Sequence, residues 1–216
     1  MLIWSQPSPA PRHTLGRPRI VAAAIAIADR REPVTMKAVA IALGDYTPMA
    51  LYRYVENKDG LLDLMLDEVA GEVPVPSPGP SWRADLHDTA MAMRGMIARH
   101  PWFSHYFHTR PPAGPNVMRH LEFKLTVLTR AGASLPDAMT YAALIDRHVL
   151  GSGMQEAAEG GPVDPTMFSQ VRELAVAREL PNLTAWLTAP TGPPPDEQFA
   201  LGLGFLLDGI AARITS

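Results

Sequence analysis

Residues 47–61 read TPMALYRYVENKDGL, two tyrosines, an arginine and a lysine around a single apolar seam. Leu51 and Val55 are four apart, so on a helix they are neighbours and form that seam. Thr47 followed by Pro48 is a helix start: the hydroxyl can cap free amides, and proline costs nothing where no amide is needed. Tyr52, Arg53 and Tyr54 fall between the seam residues and are expected to point outward. Asn57 is expected to cap a further helix, in which Leu61, Leu64, Met65 and Val69 make a longer buried stripe. A short helix with so little core is built to be inserted into something else.

Upstream, the period is also helical. Pro18 opens a helix in which Ile20, Ala24, Ile27 and Ala28 share a face, and Pro33 ends it. Thr35 is expected to cap a second helix whose Ala38, Val39, Ala42 and Leu43 form a narrow stripe, and Gly44 stops it before an Asp45-Tyr46 turn. Two short helices joined at a tight glycine turn, the second nearly bare of core, follow helix-turn-helix logic: one side of the recognition helix packs on its own domain and the other is offered to a major groove. Tyrosine hydroxyls and lysine suit phosphates, and arginine can fork onto guanine. Taken singly, Tyr52, Tyr54 and Lys58 could be ordinary surface residues. The caps at Thr35, Thr47 and Asn57 around the Gly44 turn argue for them jointly.

Charge is distributed in the same sense. The chain of 216 residues has a formal net charge of −3, but residues 1–60 carry eight Lys+Arg against five Asp+Glu, while 61–216 carry eleven against seventeen. A small basic head on an acidic body is compatible with phosphate binding by the head. At 47% hydrophobic, the chain can bury a sizeable core. It has no cysteine, which excludes a disulfide framework and thiolate chemistry and fits a cytoplasmic protein. The N-terminal MLIWSQPSPAPRHTLG lacks a signal peptide's apolar run, and no segment approaches a membrane span. Residues 1–16 are expected to form a flexible arm, with Arg12 and Arg17 as loose charges.

The head is expected over residues 17–72. In GEVPVPSPGP, prolines at 74, 76, 78 and 80 cannot continue a helix, so 73–80 is read as a junction and 81–216 as a separate body. No alternating strand pattern and no repeat occurs, so the protein is expected to be all-α. Body helices are expected near 81–99, 101–108, 115–131, 135–158, 165–178, 182–188 and 196–214.

The stretch TMKAVAIALGDYTPMALYRYVENKDGLLDLML, residues 35–66, closely resembles the DNA-binding head of TetR-type transcriptional regulators. The likeness covers roughly residues 17 to 70. It is looser beyond residue 80, where HPW at 100–102 and FALGLGFLLDGI at 199–210 look like parts of the family's ligand-binding and dimerisation body. Between Gly44 and Tyr52 the chain carries one residue more than the usual family turn. The resemblance implies an N-terminal three-helix helix-turn-helix head on a helical body, binding a double-stranded DNA operator and released by a small-molecule effector. It implies that Tyr52, Tyr54 and Lys58 hold phosphates, that Thr35 caps and touches backbone, and that Thr47, Pro48, Met49 and Arg53 face bases, with Lys37 and Tyr46 completing the set.

The body carries further expectations. HPWFSHYFH at 100–108 concentrates aromatics and imidazoles, and Trp102, Phe103, Tyr106, Phe123, Tyr141 and His148 are candidate walls of a mostly apolar pocket for an uncharged or weakly charged aromatic guest. From Gln198 to Ala212 the only charge is Asp208. This helix is therefore expected to close a homodimer through Gly202, Phe205, Leu206 and Gly209, the two glycines admitting a close partner helix. His105 and His108 share a helix face but have no acidic neighbour, so no metal site is expected, and no cofactor. GxGxxG, P-loop, HExxH and GxSxG motifs are absent, which leaves no motif for catalysis. The alternative reading is a helical small-molecule-binding enzyme or carrier. Sequence-selective, salt-sensitive duplex binding, or turnover of a bound molecule, separates the two.

Overall fold

The computed structural model describes residues 3–5, 15–44, 46–109, 113–159, 165–189 and 192–214, and these contain helices and no β-strand. The head comprises α1 (Arg17–Asp29), α2 (Met36–Ala42), α3 (Pro48–Val55) and α4 (Lys58–Ala70). The body comprises α5 (Trp82–Arg99), α6 (Trp102–Thr109), α7 (Pro115–Arg130), α8 (Leu135–Glu159), α9 (Pro165–Ala177), α10 (Pro181–Thr188) and α11 (Pro195–Ile214). The local signals read from the sequence operate as expected. Thr35, Thr47 and Asn57 accept from the amides of Ala38, Ala50 and Gly60 at 3.1, 3.3 and 2.8 Å. Gly44 takes the left-handed backbone, φ 100°, that a β-carbon disfavours.

Ile20, Ala24, Ile27 and Ala28 of α1 are buried as expected, joined by Val21. The buried face of α2 is Met36, Val39 and Ala40, with Ala42 exposed, so the helix is rotated from the expected stripe. Of the expected N-terminal arm, residues 3–5, 15 and 16 are among those described. Residues 6–14, Arg12 among them, lie outside the described residues, as does Asp45 of the expected turn. Ile3, however, sits in a single 3-10 turn and is buried beside α4, where a β-carbon on Gly60 would lie 2.9 Å from its Cδ1. Arg17 is not a loose charge: it opens α1 and its Nε donates to the Tyr54 carbonyl at 2.8 Å.

Two cores meet along α4. Leu61, Leu62 and Met65 pack with α1–α3, whereas Leu66, Val69 and Ala70 belong to the cluster that contains Leu86, Phe103, Phe123, Leu128, Val149 and Leu203. A helix apolar on nearly all sides is one buried between two layers. The body core therefore begins inside α4, ahead of the proline-rich stretch at 73–80, which serves as the crossing to α5. A γ-turn at Glu56 (φ 61°, ψ −56°), closed by the Asn57 amide on the Val55 carbonyl at 2.7 Å, ties α3 directly to α4.

Candidate nucleic-acid interface and effector cavity

Around the recognition helix α3, Lys37, Thr47, Met49, Tyr52, Arg53 and Lys58 are exposed, and Tyr46 and Pro48 half-buried. Met49, 73% exposed, is a large apolar side chain with no intramolecular cover, the kind of group that gains by contact with a thymine methyl. The start of α3 is exposed at Thr47, whose hydroxyl accepts from the Ala50 amide. Tyr54 corrects the outward reading: it is 5% exposed and lies in the head core. Leu51, Tyr54 and Val55 are related by three and four residues, so the seam is wider than two residues and takes in the second tyrosine.

The head is fixed to the body at two joints. At the first, His100 lies between the two parts, Nδ1 2.7 Å from Asp29 Oδ1 of α1 and Nε2 3.1 Å from Glu72 Oε1 after α4. The Trp102 indole donates to the same Asp29 oxygen at 2.7 Å, and Arg99 donates to Glu72 at 3.0 Å. Burial works to raise the Glu72 carboxyl, but Arg99 and His100 outweigh it and hold it below its ordinary value. At the second joint the buried Asp67 carboxylate of α4 accepts from the Asn116 and Val117 amides at 2.9 and 3.0 Å. It thereby caps the start of α7, whose own N-cap residue, Gly114, offers no side chain.

Inside the body, α4–α8 line a partly open cavity of about 220 Å³. Met93, Phe103, Phe107, Leu121, Val149 and Leu150 give it apolar walls, and His120, Lys124 and Asp146 give it one polar side. His120 is buried, and its Nε2 lies 3.0 Å from the Ala70 carbonyl. A carbonyl only accepts, so Nε2 carries the proton, while Nδ1 is buried and has no partner among the described residues. Burial pushes this imidazole below its ordinary value and Lys124 adds to the shift; the Ala70 and Val73 carbonyls and Asp146 oppose it without reversing it. His120 also lines a more open groove of about 440 Å³ under the residue 73–78 crossing, with Phe123 on its wall.

The six aromatic and imidazole residues expected around one pocket are thus separated. Of these six, only Phe103 lines the α4–α8 cavity. Trp102 and Tyr106 line a cleft between head and body with Pro33 and Val34. Phe123 faces the groove, and Tyr141 packs half-buried on the body core. His148 stacks on Phe199 at 4.7 Å, its Nε2 2.9 Å from the Phe199 carbonyl, in a cleft between α8 and α11. Phe107, Leu121, His120 and the Lys124–Asp146 pair are among the lining residues that the sequence reading does not include. His105 and His108 are both exposed.

On α11, Phe199, Leu203, Leu207 and Ile210 face the body core, while Leu201 and Phe205 are exposed and Leu206 half-buried. Gly202 does not join Gly209 on the free face: a β-carbon there would lie 2.6 Å from the His148 ring, so its role is close approach of α11 to α8 within the chain. Gly209 faces open space.

The tetracycline repressor-like C-terminal domain model matches residues 75–214. The HTH-type transcriptional repressor DrrR1 of Streptomyces coeruleorubidus is 34% identical, the match covering 99% of this chain and 84% of that protein. The chain belongs to the TetR family of transcriptional regulators. An HTH-type transcriptional regulator of Saccharopolyspora erythraea is a second relative, 33% identical across 97% of this chain and 91% of its own. Among solved TetR-family structures, ActR of Streptomyces coelicolor in complex with actinorhodin superposes with a TM-score of 0.81 at 27% identity, covering 94% of this chain and 99% of that one. The all-α fold and the helix-turn-helix head are those of the family. The Thr47 cap at the start of α3 is in place. Among the described residues no helix is long and apolar enough to cross a membrane.

Proposed function

We propose that this TetR-family regulator is a cytoplasmic repressor that holds a palindromic operator as a homodimer and lets go when a small, mostly apolar molecule occupies the α4–α8 cavity. The observation that carries this reading is the position of α4. Its first half is part of the head core, its last residue, Ala70, lines the cavity, and the γ-turn at Glu56 hands its motion to the recognition helix. A guest that changes the separation of α7 from α4 therefore acts on the head without crossing a flexible linker. Such a guest releases DNA only in so far as it prefers the released arrangement. The relative ActR has been solved both free and with actinorhodin, and we carry a small organic effector over to this chain.

We read Lys37, Thr47, Pro48, Met49, Tyr52, Arg53 and Lys58 as the DNA-contacting surface, with Thr35 and Tyr46 at its edge. The exposed stripe of Leu201, Phe205 and Gly209 on α11 supplies the two-fold contact that pairs two heads on a palindrome. Regulation is favoured over catalysis because the residues lining the cavity carry no hydroxyl or thiol nucleophile. Selection of bound sequences from a random duplex pool, followed by release assays on the selected site, tests the reading. Recovery of no two-fold symmetric site would sink it.

A further inference from the structure

We infer that the cavity selects apolar guests that carry an acidic oxygen, and that Lys124 is the residue that reads it. The inference rests on the reading of this cavity as the effector site. Lys124 lies on α7 with its side chain 9% exposed, and its ammonium pairs with Asp146 of α8, whose side chain is 41% exposed. The two charges are unequally served. The carboxylate reaches solvent and can be hydrated there. The ammonium has three donors and at most two Asp146 carboxylate oxygens to receive them, and it shares the cavity with the apolar wall of Phe103, Phe107, Leu121 and Val149 and with the His120 ring. A buried cation with an unfilled N–H is a standing demand for an acceptor, met most strongly by an anionic oxygen.

The imidazole on this side is not a second cation. His120 is held neutral by burial, with Nε2 committed to Ala70, so Lys124 is the cation of the cavity. An oxyanion at Lys124 also touches the α7–α8 seam that Asp146 closes. The guest's acid replaces or shares that partner, and the α7 wall feels it directly. A cavity of about 220 Å³ is small for a ligand site, so the guest that fills it is a compact ring system and not a long chain.

Three probes of one shape decide the matter on the full-length protein: 2-naphthoate, 2-naphthamide and 2-naphthylmethylammonium, titrated by calorimetry. The expected result is that naphthoate binds about tenfold or more tighter than the amide, the worth of one charge-assisted hydrogen bond, and that the ammonium binds weakest. Lys124→Met keeps the length and packing of the stem and should bring acid and amide within about twofold. Leu121→Trp should fill the cavity and remove naphthoate binding while the helical signal is unchanged. Equal affinity for acid and amide, preference for the ammonium, or naphthoate binding that survives Leu121→Trp would each overturn the proposal. Operator release is measured in parallel. Lys124-dependent naphthoate binding that leaves operator affinity unchanged keeps the ligand class and sinks the effector reading. Release by acid and amide alike does the reverse, and failure of all three probes to bind overturns both.

Discussion

The Asp67 carboxylate on the last turn of α4 caps the first turn of α7 across a helix–helix contact, accepting from the Asn116 amide at 2.9 Å and from its side-chain Nδ2 at 3.0 Å. Gly114 makes the approach possible, since a β-carbon there would lie 2.3 Å from Asp67 Cγ. An anion at a helix N-terminus satisfies free amides and complements the helix dipole. Asp67→Ala should therefore cost about 1–2 kcal/mol in urea unfolding, as loss of a cap does. Because the cap also links the cavity wall to the head, the variant should keep operator affinity at saturating folded protein and show a reduced response to any effector. A full response in a protein destabilised by that amount would show the cap to be structural only.

The DNA surface is tested by a contrast. Lys58→Ala should weaken specific and non-specific duplexes alike and lower the salt slope of binding by about one. Arg53→Ala should relax preference at one position of each half-site, at a cost of about 1–3 kcal/mol there. Tyr52→Phe, at an exposed position, should lower affinity, whereas Tyr54→Phe, at a buried one, should change operator affinity less than stability. Equal losses of affinity in the two tyrosine variants would return Tyr54 to the DNA surface.

Phe205 is 66% exposed on the outer stripe of α11. Placing a charge there, Phe205→Glu, removes an apolar contact and sets two like charges near a two-fold axis, while touching no core residue of its own chain. The variant should sediment as a monomer at micromolar concentration and lose most of its affinity for a palindrome, with its helical signal unchanged. A dimer of ordinary affinity would place the interface elsewhere.

What the sequence made legible was what short-range physics decides. The caps at Thr35, Thr47 and Asn57, the glycine stop at residue 44 and the seven body helices each depend on residues within a few positions of one another. What it hid depends on how helices are rotated in space. HPWFSHYFH contains two i, i+4 aromatic pairs, Trp102 with Tyr106 and Phe103 with Phe107, one position apart on the same helix. The His100 and Trp102 contacts to Asp29 turn the first pair toward the head, and this leaves the second for the cavity. Lys124 and Asp146 are 22 residues apart on different helices, and no local pattern announces their pairing. Gly202 was misplaced for the same reason: its seven-residue spacing from Gly209 is real, but the His148 ring against it belongs to α8.

Acid sensitivity should be traceable to His120. The imidazole of an unfolded chain takes up a proton near the ordinary value of 6.5, and in the folded protein burial pushes that uptake to lower pH. Between the two values the unfolded state binds more protons than the folded one, so stability falls as pH falls through this window and is fully present above it. The charged residues that share the two cavities of His120 are Lys124 and Asp146 on one side and Arg119, Glu122 and Arg130 on the other. His120→Gln keeps an N–H that can reach the Ala70 carbonyl and removes the titration. The loss of unfolding free energy between pH 7.5 and 5.5 should be smaller in His120→Gln than in the parent, measured by urea unfolding at both values. An apolar guest seated against the neutral ring should stabilise the parent more at the higher pH than at the lower, and this difference should also shrink in the variant. If both proteins lose the same stability on acidification, proton uptake at His120 is not what the fold resists.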